Sequence, residues 1–125
     1  MIRKTVNVER EKPQGGEGTV LVKNIISKEE FCGKGRMFAH VVLPPKTSFG
    51  FHRHVGETEP FYIIKGAGEF TDNDGSVTKV VPGDCCIISE GEAHAIANPF
   101  DEDLELIAMI YNTGDDEGHS ETLNG

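Results

Sequence analysis

The sequence predicts an all-β fold, a small antiparallel barrel, on three observations. Valine and isoleucine total 20 of the 125 residues, against 11 leucines and alanines, and β-branched side chains favour strands. Fifteen glycines and six prolines supply turns in number. Short apolar segments follow one another at roughly 8–12-residue spacing with turn signals between them, the signature of a sandwich or barrel.

The elements can be read in order. Thr5 to Val8 alternates weakly, as an edge strand would. Pro13-Gln14-Gly15-Gly16-Glu17-Gly18 reads as loop, and Thr19 to Val22 as a strand. Ser27-Lys28-Glu29-Glu30 has the Ser-x-x-Glu form of a capping box, and Gly33 and Gly35 end it within one helical turn. Residues 1–35 therefore form an N-terminal extension. Strands are expected from Arg36 to Leu43, Phe51 to His54, Pro60 to Lys65, Val77 to Val81, Cys85 to Ile88, His94 to Asn98 and Leu104 to Tyr111. Asp72-Asn73-Asp74-Gly75 marks a hairpin and Pro82-Gly83 a further turn. These place a barrel at residues 36–111. Residues 112–125 are acidic and poor in apolar groups, and read as a solvated, mobile tail.

Composition narrows the function. Twelve basic residues against 21 acidic give a net charge of −9, which repels a nucleic-acid backbone or an anionic membrane. The longest apolar run, Leu106 to Tyr111, is far short of the about 20 residues that span a bilayer. No secretory leader is visible behind Met1, so the expected location is cytoplasmic. Cys85 and Cys86 are neighbours with Cα atoms about 3.8 Å apart, too close for a comfortable disulfide, so three reduced, mostly buried thiols are expected.

Chemistry concentrates on histidine. His52 and His54 share one strand face, with Cα atoms about 6.7 Å apart. Gly56 permits a bend that returns Glu59 toward them, and His94 opens a later strand. Three imidazoles and a carboxylate form a mixed nitrogen and oxygen set that suits Mn, Fe, Co, Ni, Cu or Zn over Ca or Mg. Arg36 and His40 fall on one strand face. Arg36 reads as solvent-facing, although an inward guanidinium would clamp a carboxylate. Glu57 and Glu92 read as exposed loop carboxylates, Asn98 as a residue that orients a neighbour, and His119 as an inert tail residue.

The order His52-Arg53-His54, four residues, Glu59, six residues, Gly66 resembles the first signature of the cupin superfamily. Gly83, Gly91, His94 and Asn98 resemble the second, and the Asp-Gly hairpin fills the variable spacer between them. Lys46 stands where the first signature opens with glycine and Ser89 where the second has proline. Neither position carries a ligand. The resemblance implies a jelly-roll, double-stranded β-helix barrel holding one divalent transition metal on His52, His54, Glu59 and His94. Within the superfamily it is similar to the short, single-domain, oxalate-decarboxylase-like proteins, which commonly form homodimers. The function it implies is a metalloenzyme acting on a small oxygen-rich substrate: a dicarboxylate, keto acid or sugar acid. Decarboxylase, dioxygenase and isomerase chemistry all stay open, with a non-catalytic binding or sensing barrel as the alternative.

Overall fold

Alternation shapes the strands that build the core: in Gly35–Leu43 the residues Ala39, Val41 and Leu43 are buried, while those between them are partly exposed. A computed structural model describes residues 1–123 and contains eleven strands. They are β1 (Asn7–Glu11), β2 (Thr19–Ile26), β3 (Gly35–Leu43), β4 (Thr47–Val55), β5 (Glu57–Lys65), β6 (Gly68–Thr71), β7 (Val77–Val80), β8 (Cys85–Ile88), β9 (Ala93–Asn98), β10 (Leu104–Asn112) and β11 (His119–Thr122). One sheet runs β1-β2-β3-β10-β5-β8 and the other β11-β4-β9-β6-β7, and every pairing is antiparallel. The all-β, jelly-roll class is as the sequence predicts. The two sheets face one another and are not closed by hydrogen bonds into a continuous barrel.

The core fills the space between the sheets. Val20, Val41, Leu43, Ile63, Leu104 and Leu106 come from the six-stranded sheet, Phe70 and Ile96 from the other. Each fully buried aliphatic side chain contributes about 1.5–3 kcal/mol relative to exposure. Asn98 is wholly buried without being near the histidines' chemistry. Its Nδ2 donates to the Leu43 and Glu102 carbonyls at 2.8 and 2.7 Å, and its Oδ1 accepts from Phe100 N–H at 3.0 Å. It locks the β9–β10 connection, the orienting role its sequence position suggests.

Local departures from the sequence reading have physical causes. The Ser27–Glu30 motif yields one 3-10 turn (Glu29–Phe31), with Glu30 accepting from Ser27 N–H at 2.8 Å, but no hydroxyl cap forms. The Asp-Gly hairpin joins β6 to β7 through residues 72–76, with Gly75 at φ +86°. The N-terminal extension is woven into the main sheet, since β2 pairs with β3. The segment read as a mobile tail carries β11, whose residues His119 to Thr122 pair with Val55 to His52 of β4. Its pairing is through the backbone and leaves no apolar pattern to detect. Residues 124–125 of that segment lie outside the described residues. Among the described residues no helix is long and apolar enough to cross a membrane.

Candidate metal centre

Three strands bring the chemistry together. On β4 and β9 of the five-stranded sheet, His52 and His94 are directly opposed in register, and His54 lies two residues along. Glu59 reaches the same point from β5 of the facing sheet. All four side chains are buried, and one donor atom from each lies within 4.8 Å of the others. Glu59 Oε1 sits 3.1 Å from both His54 Nε2 and His94 Nε2, and those two nitrogens are 3.2 Å apart.

The spacing and the donor chemistry fit a transition-metal ion. Two ligand atoms each about 2.1 Å from one ion, near a right angle, stand about 3.0 Å apart. The outer ring nitrogens set which atoms face inward. His52 Nδ1–H donates to the Gly50 carbonyl at 2.7 Å, and His54 Nδ1–H donates to Glu57. Both rings therefore aim Nε2 at the cluster, the arrangement that fixes the tautomer of a metal-ligating histidine. His94 differs: its Nδ1 is buried without a hydrogen-bond partner among the described residues, and its ring is held by packing near Phe61 and Phe70.

Two β-bulges make this possible. In β4, Phe49 pairs with Ile96 but His52 with His94, so one extra residue lies between them at Gly50-Phe51. The slip lets Phe49, His52 and His54 all line the same cavity. In β3, Met37 pairs with Ile110 but Gly35 with Tyr111, leaving Arg36 as the extra residue. A bulge re-aims a side chain. Arg36 consequently lines the cavity, whereas His40 stays outside and meets Glu105 at 2.8 Å. The reading that put Arg36 and His40 on one face, with Arg36 in solvent, is corrected by that extra residue.

Glu57 is the second correction. Read as an exposed loop carboxylate, it is fully buried. Its two oxygens accept Arg36 Nε at 2.8 Å and Nη2 at 2.7 Å, and it also accepts the His54 Nδ1 proton. Gly56, at φ +71°, makes the tight β4–β5 turn that returns Glu57 under His54. Nothing in the sequence separates this carboxylate from a solvated one, because its partner depends on a bulge. Glu92, also read as exposed, is half-buried and accepts Ser89 N–H at 2.9 Å in the turn before β9.

Charge follows from these contacts. Burial, helped by the closeness of His94, pushes His52 down to about 4. Burial opposes protonation of His54 too, but its bonds to Glu57 and Glu59 outweigh it and raise the ring to about 9. Burial would raise Glu57, yet Arg36 and His54 hold it at about 2. Glu59, against the same burial, is kept ionised well below the usual carboxylate range by His54 and His94. Without a metal, the cluster thus stores a proton on His54 between two carboxylates. The cysteines stand apart from this chemistry, and the expectation of mostly buried thiols is corrected: Cys32 lies in an exposed turn, strand alternation in β8 turns Cys85 out, and only Cys86 is buried, which pushes its thiol up to about 12.

Comparisons with known proteins point the same way. A family model described as the cupin domain matches residues 39–110. The oxalate-binding protein of Thermotoga maritima is 43% identical over 97 residues, covering 78% of this chain and 79% of that protein. The crystal structure of a predicted oxalate decarboxylase from Thermotoga maritima superposes with a TM-score of 0.85 at 37% identity, covering 90% of this chain and 100% of that one. A polyketide cyclase from Streptomyces resistomycificus shares the fold with a TM-score of 0.70 at 18% identity, over 90% of this chain and 80% of its own.

Proposed function

The chain belongs to the cupin family, and on that premise we propose that it holds one divalent transition metal and binds a small dicarboxylate of the oxalate type there. His52, His54, Glu59 and His94 are the proposed ligands, and Mn, Fe, Co, Ni, Cu and Zn all suit that donor set. Such an ion, when bound, supplies Lewis acidity toward the oxygens of an anion. The observation that carries the reading is the convergence of four buried donors in a cavity that also exposes two arginines. The name of the 43%-identical relative supports the choice of anion.

One feature favours binding over turnover. Apart from the four donors, the polar side chains lining the cavity among the described residues are Arg10, Gln14 and Arg36. A guanidinium and an amide neither give up nor take a proton near neutral pH. A metalloenzyme acting on the same anion is the second reading, supported by the likeness to a predicted oxalate decarboxylase. Elemental analysis of protein purified without added metal, followed by calorimetric titration with oxalate, tests both. About one equivalent of a transition metal and saturable oxalate binding without carbon dioxide or formate production supports the binding reading. Metal-dependent release of either product moves the assignment to the enzyme. Failure of the reconstituted protein to bind oxalate overturns both.

The same proposal includes a homodimer packed through the outer face of the six-stranded sheet. Tyr62, Ile64 and Ile87 are 50%, 40% and 58% exposed there, beside a groove lined by Phe38, Ile107 and Met109. Contiguous exposed apolar surface of this kind marks association sites. Ile87→Asp is expected to convert a dimer to a monomer in light scattering, with metal content unchanged; a monomeric parent protein refutes it. A cytoplasmic setting fits three cysteines that are all unpaired.

A further inference from the structure

Part of the lining of the cavity comes from the N-terminal segment, through Arg10 and Gln14, and it brings in a cation that has no other work. Of the two arginines lining the cavity, Arg36 is committed to Glu57 through Nε and Nη2. Arg10 makes no ion pair or side-chain hydrogen bond among the described residues, although the chain carries 21 acidic groups. Glu9 and Glu11 flank it, but strand alternation sends them to the other face.

The backbone that carries it is held in place. Arg10 pairs with Val20, a fully buried core residue, in the β1–β2 ladder. Immediately afterwards the chain leaves the six-stranded sheet and crosses to β4 of the other one. The crossing closes on itself, with Lys12 N–H bonded to the Gly18 carbonyl at 2.7 Å. It lies on β4 so closely that a Cβ on Gly16 would sit 2.0 Å from the Ser48 carbonyl oxygen, and one on Gly50 would sit 2.1 Å from the Gln14 oxygen. Gln14 is tied in turn to Ser120 and Thr122 of β11, at 3.0 and 2.6 Å. Residues 10–18 thus form a pinned bridge between the sheets along one side of the cavity, with Arg10 at its start.

We propose that Arg10 determines specificity for ligand charge: it binds the acidic group that lies away from the donor cluster, so the site prefers dicarboxylates to monocarboxylates. The inference rests on the preceding reading that a small anion binds at the cluster. A guanidinium presents a planar fork that matches a carboxylate with two parallel charge-assisted bonds, and Arg10 offers it at the cavity from an exposed strand position. Arg36 is less suited to this task because Glu57 neutralises its charge and takes its Nε and Nη2 edge. Arg10 is the cavity-lining cation whose charge is unpaired among the described residues.

The test uses the full chain reconstituted with Mn²⁺, in wild-type, Arg10→Gln and Arg10→Lys forms, titrated calorimetrically with oxalate and with glycolate. Glycolate is of similar size and can chelate, but it carries a single negative charge. Loss of one charge-assisted bond corresponds to roughly tenfold or more in affinity. Arg10→Gln is expected to bind oxalate at least tenfold more weakly and glycolate less than threefold more weakly, with metal content and melting temperature unchanged. Arg10→Lys should restore part of the preference. An unchanged oxalate-to-glycolate ratio, or an equal loss for both anions, overturns the role of Arg10 while leaving the metal and anion reading intact. A wild-type protein that binds neither anion removes that reading and Arg10's role together.

Discussion

The donor cluster and the bridge along the cavity are built from opposite kinds of structure. The donors sit on β4, β5 and β9, each paired with a strand on both sides, and all four are less than a tenth exposed. The bridge is a terminal crossing that starts from the edge strand β1, every residue of which is exposed. Preorganised ligands need rigid supports. Residues that choose among small anions can sit on connecting segments, where changes disturb the core least. Metal affinity should therefore respond to changes in the interior, and ligand preference to changes in the bridge.

Five experiments press on that division, from the largest expected effect to the smallest. The double variant His52→Ala/His54→Ala should lose stoichiometric metal outright by elemental analysis while keeping its β-sheet circular dichroism. Retained metal would detach the cluster from the chemistry. Glu57→Gln removes the partner that orients His54 and neutralises Arg36, and should weaken metal binding about 10–100-fold in chelator competition. An unchanged affinity would make the Arg36–Glu57–His54 chain purely structural.

The third concerns pH. Burial disfavours the charged ring of His54, but Glu57 and Glu59 raise it to about 9, so metal-free protein carries a proton there at neutral pH. An entering cation must displace it. Apparent affinity should then rise with pH by about tenfold per unit up to about 9, since each bound proton competes one for one. Chelator competition at pH 6, 7 and 8 reads the slope, and a flat profile contradicts the proton store. In the bridge, Gly16→Ala places a Cβ against the Ser48 carbonyl and should lower oxalate affinity several-fold with metal retained. The smallest effect belongs to the outer surface: the partly exposed His40–Glu105 pair, at 2.8 Å, should contribute about 0–1 kcal/mol in denaturant melts of His40→Ala.

Much of this architecture was legible in the sequence, and the gaps share one cause. The two-residue spacing of His52 and His54, the Gly56 bend and the return to Glu59 are local relations, so strand geometry alone brings them to one side. The strands of the centre announce themselves by alternation. What stayed hidden depends on a single inserted residue. The bulge at Arg36 turns that side chain inward and gives Glu57 its buried partner, yet an extra residue leaves no trace in composition or period. β6, β11 and the seating of residues 10–18 were missed for a related reason. These segments are short or polar and are placed by backbone pairing and by close approaches such as that of Gly16 to Ser48.

The pairing of β11 with β4 has a consequence for motion. Ser120 and Thr122 stand beside His54 and His52 in the ladder, so the strand that carries two donors is an interior strand of its sheet. Sheets fray from their margins inward, and the outermost strand opens at the least free energy. Exposure of backbone to solvent should therefore pass through β11 as a sacrificial layer while the imidazoles behind it stay in register. In amide hydrogen exchange, residues 119–122 should lose protection well before residues 52–54. The order of opening, and not the average firmness of the fold, would then govern how long the donors remain assembled.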